Sequence, residues 1–218
     1  MSVLSASALR ITEIFYSLQG ETSRAGWPTV FVRLTGCPLR CGYCDSEYAF
    51  HGGVSMEIED ILQAVKEYNC PVVCVTGGEP LAQKPCQTML TALCDAGYSV
   101  SLETSGALPI DDVDPRVARI VDVKTPGSGE VDKNHWPNLS LLNAHDELKF
   151  VICHEADYLW ARTLVMENQL YQRCPVLFSP VVGGYSATEL ADRVLADRLP
   201  VRFQMQLHKV LWGNVAGK

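Results

Sequence analysis

Short apolar runs rich in Val, Ile, Leu and Phe recur along this chain, and a polar cluster bearing glycine follows one run after another. The run at 29–35 leads into Gly36 and a cysteine-rich stretch, and that at 71–76 into Gly77-Gly78-Glu79-Pro80. Those at 98–103 and 119–124 close on Glu103-Thr104-Ser105-Gly106 and Lys124-Thr125-Pro126-Gly127-Ser128. Further runs lie at 10–16, 147–152, 175–179 and 201–206. Buried parallel strands have this continuous apolar character. Helical patterns fall between them. Ser55 is placed to cap a helix with Ile58, Ile61, Leu62 and Val65 on one face. A second runs from about 84 to 96 and stops at Gly97, and others fall near 155–171 and 187–197. The stretch 125–146, with Pro126, Gly127, Gly129 and Pro137, reads as loop with one short helix. Strand–helix alternation predicts an α/β fold with a parallel sheet. In an open sheet only the strand ends beside the switch point converge, whereas in a barrel all of them meet at one mouth. Four polar clusters at strand ends therefore favour a barrel. Eight full units need about 250 residues, so 218 residues predict one domain, 1–218, built as a modified, incomplete parallel (β/α) TIM-like barrel.

Composition narrows the function. A formal charge of −7 disfavours direct nucleic-acid binding, which calls for a basic surface. No apolar run reaches the length of a membrane span, and Met1–Ser7 lacks the charge and apolar core of a signal peptide. Nine cysteines, an odd number, fit a reducing compartment better than a disulfide framework, so the cytoplasm is expected.

Three of those cysteines, Cys37, Cys41 and Cys44, have the spacing C-x-x-x-C-x-x-C. Thiolates are soft ligands suited to iron–sulfur clusters or zinc. A [4Fe–4S] cube held by three of them keeps one iron open for a ligand. The alternative is a zinc-stabilised, non-catalytic binding module in which His51 completes the ligand set. The nearest second cysteine pair, Cys70 and Cys74, merges into an apolar strand and reads as core, as do Cys86, Cys94, Cys153 and Cys174. His51, His135, His145 and His154 otherwise read as loop or surface residues.

Cys37-Pro-Leu-Arg-Cys41-Gly-Tyr43-Cys44 resembles the signature of radical S-adenosylmethionine (SAM) enzymes, and Gly77-Gly78-Glu79 resembles their G-G-E motif. The resemblance implies a [4Fe–4S] cluster, SAM chelated to its open iron, and hydrogen abstraction by a 5′-deoxyadenosyl radical. A narrower resemblance spans most of the chain. Glu13–Thr22, Phe31–Pro38, Cys44-Asp45-Ser46, Glu103–Gly106 and Gln206–Lys209 are similar to the 7-carboxy-7-deazaguanine synthase family. That family implies ring contraction of 6-carboxy-5,6,7,8-tetrahydropterin to 7-carboxy-7-deazaguanine with release of ammonia, in the supply of the queuosine precursor for tRNA. It also implies Mg²⁺, a homodimer and an external electron donor such as flavodoxin. A nearby alternative is a radical enzyme that activates a glycyl-radical protein; such activators carry extra cysteine-rich insertions, and none is clear here.

Carried over residue by residue, the resemblance assigns Cys37, Cys41 and Cys44 to the cluster and Ser46 to Mg²⁺. It puts Tyr43, Cys44, Asp45, Gly77, Gly78, Glu79, Glu103, Ser105, Asp122, Val123, Lys124 and Ser128 around SAM. Leu18, Gln19, Gly20, Glu21, Arg33, Thr76 and His208 go to the substrate. Ser46 departs from the family's usual threonine but keeps the hydroxyl. Ser105 and Ser128 read equally well as turn formers or caps. His208 and Lys209 read either as pterin contacts or as surface residues. Lys149 interrupts Leu148-Phe150-Val151-Ile152, so it points either into a polar lumen or, with Glu147, to solvent.

Overall fold

A computed structural model describes residues 8–213, 215 and 217; the opening Met1–Ser7, read above for a leader, lies outside them. Among the described residues nine strands form one sheet. They are β1 (Ala8–Leu18), β2 (Pro28–Leu34), β3 (Val54–Glu57), β4 (Val72–Gly77), β5 (Ser99–Thr104), β6 (Ala118–Asp122), β7 (Glu147–Ile152), β8 (Val176–Pro180) and β9 (Arg202–Phe203). Their order is β3-β1-β2-β4-β5-β6-β7-β8-β9. From β2 to β9 every neighbouring pair is parallel. The sheet stays open, with β3 and β9 at its edges, so the incomplete barrel expected from chain length is what forms.

The beginning differs from a simple strand–helix alternation. β1 and β2 form an antiparallel hairpin and β3 adds antiparallel to β1. Ser55, expected as a helix cap, lies inside β3, and Glu57 occupies the cap position of α1 (Ile58–Glu67). The apolar face of that helix is as predicted: Ile58, Ile61 and Val65 are buried and Leu62 packs against them. α2 (Cys86–Asp95), α4 (Glu155–Glu167) and α5 (Ala187–Ala196) match the expected helices, and α3 (Asn138–Leu141) is the short helix of the loop region. The strand expected at 201–206 shrinks to two residues, and α6 (Leu207–Trp212) follows it. No described helix is long and apolar enough to cross a membrane.

Two faces arise from the period of two along each strand. Val30, Val32, Leu34, Val73, Val75, Val100, Leu102, Val121, Leu148 and Phe150 belong to the apolar core cluster, together with residues of the helices. Residues of the other parity face a cavity. Register lines them up: Glu13 pairs with Arg33, Arg33 with Thr76, and Asp122 with Lys149. Thr76 Oγ1 reaches Glu103 at 2.9 Å, which continues the row onto β5. A belt of polar side chains thus crosses the concave face of an otherwise apolar sheet.

Arg119 on β6 is held by Asp146, whose side chain is 1% exposed, through Nε at 3.0 Å and Nη2 at 2.6 Å. Asp146 also accepts the backbone N–H groups of Arg119 and Asn143. Removing one partner of such a buried pair strands the other charge. Asp146→Ala is therefore expected to destabilise the fold by about 3–5 kcal/mol, seen as a lowered urea midpoint with an unchanged m-value.

Candidate active site

The cavity at the strand ends has a volume of about 340 Å³ and is lined by Cys37, Cys41 and Cys44 together with the polar belt. The cysteine loop is held in shape from several sides. Gly42 N–H donates to Ser128 O at 3.0 Å and Arg40 N–H to Glu130 Oε1 at 2.6 Å. Arg40 Nη1 donates to Cys37 O and Leu39 O, and its guanidinium stacks on Phe50 at 4.3 Å. All three thiols are unpaired and half-buried. Burial raises the pKa of each, and Lys124 is a cation that pulls all three the other way. Among the described residues, no three His, Cys, Asp or Glu side chains are arranged to hold a single metal ion. A cluster asks less of them, because each thiolate meets its own iron.

The Gly77-Gly78 turn closes one side. A Cβ on Gly78 would stand 2.2 Å from Gly36 O and 2.7 Å from Cys37 Cβ, so only glycine lets this turn lie against the cysteine loop. Glu79 N–H donates to Gly36 O at 2.8 Å. The Glu79 side chain, expected at SAM, is not among the residues that line the cavity. It is fully buried and accepts from Leu81 N–H, Thr104 Oγ1, Ser105 N–H and Ser105 Oγ, tying the ends of β4 and β5 together. Its lone pairs are taken, which leaves approach to a ligand here to the glycine backbone and Ser105. Val123 and Ser128 also lie outside the cavity lining. Ser128 Oγ donates to Thr125 O at 2.6 Å and accepts Glu130 N–H, so it is the turn former of the two readings above. The remaining residues assigned from the sequence all line the one cavity.

In the same cavity, Arg33 donates from Nε to Glu13 Oε1 at 2.8 Å, and Tyr48 donates to the same oxygen at 2.8 Å. No other hydrogen bond of this guanidinium is found among the described residues, so its two-pronged edge is open to the cavity. Burial opposes the charge on Arg33, but Tyr48 and Glu13 more than offset it and its pKa is raised. Glu13 and Tyr48 were missed from sequence: one is an alternating strand residue and the other sits on a single 3-10 turn, Glu47–Ala49, 35 positions away.

Lys149 faces the lumen, not solvent. It forms an ion pair with Glu21 and lies 3.6 Å from Asp122 Oδ1, while Lys124 Nζ meets Asp122 Oδ2 at 2.9 Å. Glu147, on the same face, accepts from Ser23. Burial would lower the pKa of Lys149, yet Asp122, Glu21 and Glu103 lift it well above the ordinary lysine value. Burial likewise pushes Asp122 up, and Lys124 and Lys149 bring it below the ordinary carboxylate value.

The C-terminal segment covers the mouth. Gln204 makes two hydrogen bonds to the backbone of Thr22, Gln206 Nε2 donates to Glu21 Oε1, and Leu207 N–H donates to Gly20 O. His208 lies so close that a Cβ on Gly20 would come within 2.0 Å of its Nδ1. Lys209 Nζ pairs with Asp45 at 2.6 Å; burial works against the Asp45 charge, but this ammonium brings its pKa down to about 2. Both His208 and Lys209 are thus cavity residues. Of the six cysteines read as core, Cys70, Cys74, Cys86 and Cys174 are buried, while Cys94 and Cys153 are only partly so.

The donor set fits an iron–sulfur cluster with a chelating ligand. It offers three soft thiolates, a glycine turn without side chains, and a buried Tyr43 hydroxyl with no partner. Comparison with known proteins agrees: the Radical SAM superfamily model matches residues 31–154, so the chain is a radical SAM enzyme whose class uses SAM and a [4Fe–4S] cluster. The 7-carboxy-7-deazaguanine synthase of Chlorobaculum tepidum is 49% identical over 207 residues, covering 94% of each chain. That of Koribacter versatilis is 43% identical, covering 94% of this chain and 97% of its own. The crystal structure of QueE from Escherichia coli shares the fold, with a TM-score of 0.73 at 22% identity over 94% of this chain and 96% of that one. This chain belongs to the 7-carboxy-7-deazaguanine synthase family.

Proposed function

We propose that this protein converts 6-carboxy-5,6,7,8-tetrahydropterin to 7-carboxy-7-deazaguanine with release of ammonia, supplying the deazapurine from which queuosine is made. The observation that carries the reading is that Arg33, with its terminal edge unbonded, lines one cavity with the three cysteines in a chain whose relatives bear this name. Cys37, Cys41 and Cys44 would hold the cluster. Tyr43, Asp45, Gly77, Gly78, Glu103, Ser105, Asp122 and Lys124 would surround SAM. When bound, these two cofactors supply a hydrogen-abstracting radical.

The protein's own part is to bind, orient and exclude solvent. Arg33 is suited to fork the pterin carboxylate, since a planar guanidinium matches a carboxylate in two parallel hydrogen bonds. Leu18, Gln19, Gly20, Glu21, Thr76 and His208 would line the pterin subsite, with Gln19 Nε2 already bonded to Glu103 Oε1 at 3.1 Å. Ser46 Oγ would give Mg²⁺ one hard oxygen ligand, with the rest from substrate and water. It now donates to Asp45 Oδ1 at 3.0 Å and keeps its lone pairs free. The family resemblance further supports a cytoplasmic homodimer served by a flavodoxin-like electron donor.

Anaerobic incubation of the reconstituted protein with the carboxytetrahydropterin, SAM, Mg²⁺ and a chemical reductant is expected to yield the deazaguanine and ammonia in equal amounts. Consumption of SAM without the deazaguanine would overturn the reading.

A further inference from the structure

Lys149 has no role in the reading above, yet it occupies the centre of the polar belt. Its strand neighbours Leu148 and Phe150 are buried in the apolar core on the opposite face, so it alone in that stretch carries charge into the cavity. Its side chain is 12% exposed and meets Glu21 on one side and Asp122 on the other. Glu21 belongs to the loop after β1 that Gln206 and Leu207 fasten from the C-terminal segment. Asp122 is paired from its other oxygen with Lys124, the cation beside the cysteines. Glu103 stands near both and receives only neutral donors, Thr76 Oγ1 at 2.9 Å, Gln19 Nε2 at 3.1 Å and the Cys74 thiol, whose own pKa burial raises. Three carboxylates therefore share a buried space with two ammonium groups, and Lys149 is the one that meets both Glu21 and Asp122.

We propose that Lys149 is a positioning residue that joins the two halves of the site. Its ammonium fixes Glu21 on the pterin side and Asp122 on the SAM side, and keeps Glu103 an ionised acceptor for an N–H group of the bound ligand. The inference rests on the proposed function for the identity of the ligand, but not for the electrostatics. Burial and Glu21 raise the pKa of Glu103, and Lys149 restrains that rise. The other charged groups facing this space are Arg33 from β2, Asp45 from the cysteine loop, Lys124 after β6, and His208 and Lys209 from α6. His208 is kept below its ordinary pKa by burial, so it does not replace the lost cation near neutral pH.

The test is Lys149→Met in the reconstituted enzyme. Without the ammonium, burial and the neighbouring carboxylates are expected to push the Glu103 carboxyl further up. A group that must be ionised then loses binding as pH falls. KM for SAM is expected to rise by up to about tenfold from pH 8 to pH 6 in Lys149→Met, because each pH unit below a group's pKa cuts its ionised share about tenfold. The wild type is expected to change less than twofold, and Lys149→Arg to restore the flat profile. A parallel profile in Lys149→Met and wild type, with the pterin still converted, would overturn the inference and leave the proposed function standing.

An infrared titration of the ligand-free protein separates the two claims in the other direction. Lys149→Met is expected to show a carboxylic acid band growing in between pH 8 and pH 6 that the wild type lacks, whatever the substrate proves to be. Absence of that band overturns the inference. Lys149→Gln takes the place of the methionine variant if the latter does not fold, with the same band and the same rise in KM expected.

Discussion

Cys41→Ala is expected to leave a folded, colourless protein that holds almost no iron after anaerobic reconstitution and does not cleave SAM. Cys41 sits in the middle of a loop that is braced without it, through Gly42 N–H to Ser128 O and Arg40 to Cys37 O and Leu39 O. The half-buried thiol contributes little packing, so the loss of fold stability is about 1 kcal/mol or less. What disappears is one of the three thiolates that line the cavity, and a cube left on two thiolates has no protein ligand for half of its irons. Turnover is expected to fall to background, a loss of at least about 10⁶-fold for chemistry this slow without a catalyst.

The informative control is Cys153→Ala. Cys153 follows β7, is partly exposed, and stands close enough to Cys41 to feel its charge, although burial is the larger influence that pushes its thiol up to about 12. It is thus a competing donor by position. The variant is expected to keep its iron and its absorbance. Iron lost from Cys153→Ala and retained in Cys41→Ala would reassign the ligand set, and iron retained in both would end the cluster assignment.

Much of this site could be read from residue order because the belt obeys strand periodicity. Arg33, Thr76, Glu103, Asp122 and Lys149 each stand out as a polar residue in or at the end of an apolar run, and parallel register carries them to one face. The Gly77-Gly78 turn was legible for a similar reason, since two glycines after a buried strand mark a close backbone approach. What escaped notice depends on partners distant in sequence or on weak patterns. β3 is four residues long and mostly exposed, so it carries no apolar alternation and exists through backbone pairing to β1. α6 has six residues and no buried side chain, too little for a periodic signal. Glu79 is assigned to SAM only through the resemblance of Gly77-Gly78-Glu79 to the G-G-E motif. Only the packing of β4 against β5 shows that Thr104 and Ser105 saturate it.

Arg33→Met is expected to lower kcat/KM for the carboxytetrahydropterin by about 10³-fold, nearly all of it in KM. Removing one partner of a desolvated charge pair costs about 2–5 kcal/mol, and a factor of 10³ lies within that range. The structure argues that this cost falls on ligand binding and not on the fold. Glu13 keeps the Tyr48 hydroxyl at 2.8 Å and a side chain that is 22% exposed, so it is not left buried and alone. The methionine preserves the apolar contact with Phe15, which stacks on Phe31 at 4.9 Å. Arg33→Lys retains the charge but not the fork, and is expected to recover part of the loss, ending about tenfold below wild type. The decisive comparison uses tetrahydropterin without the 6-carboxylate as a competitive ligand. If Arg33 grips the carboxylate, this ligand binds wild type and Arg33→Met within about twofold of each other, since it never used the contact. Equal losses for both ligands would show that Arg33 only shapes the cavity wall, and the orientation of the pterin in the site would have to be reversed.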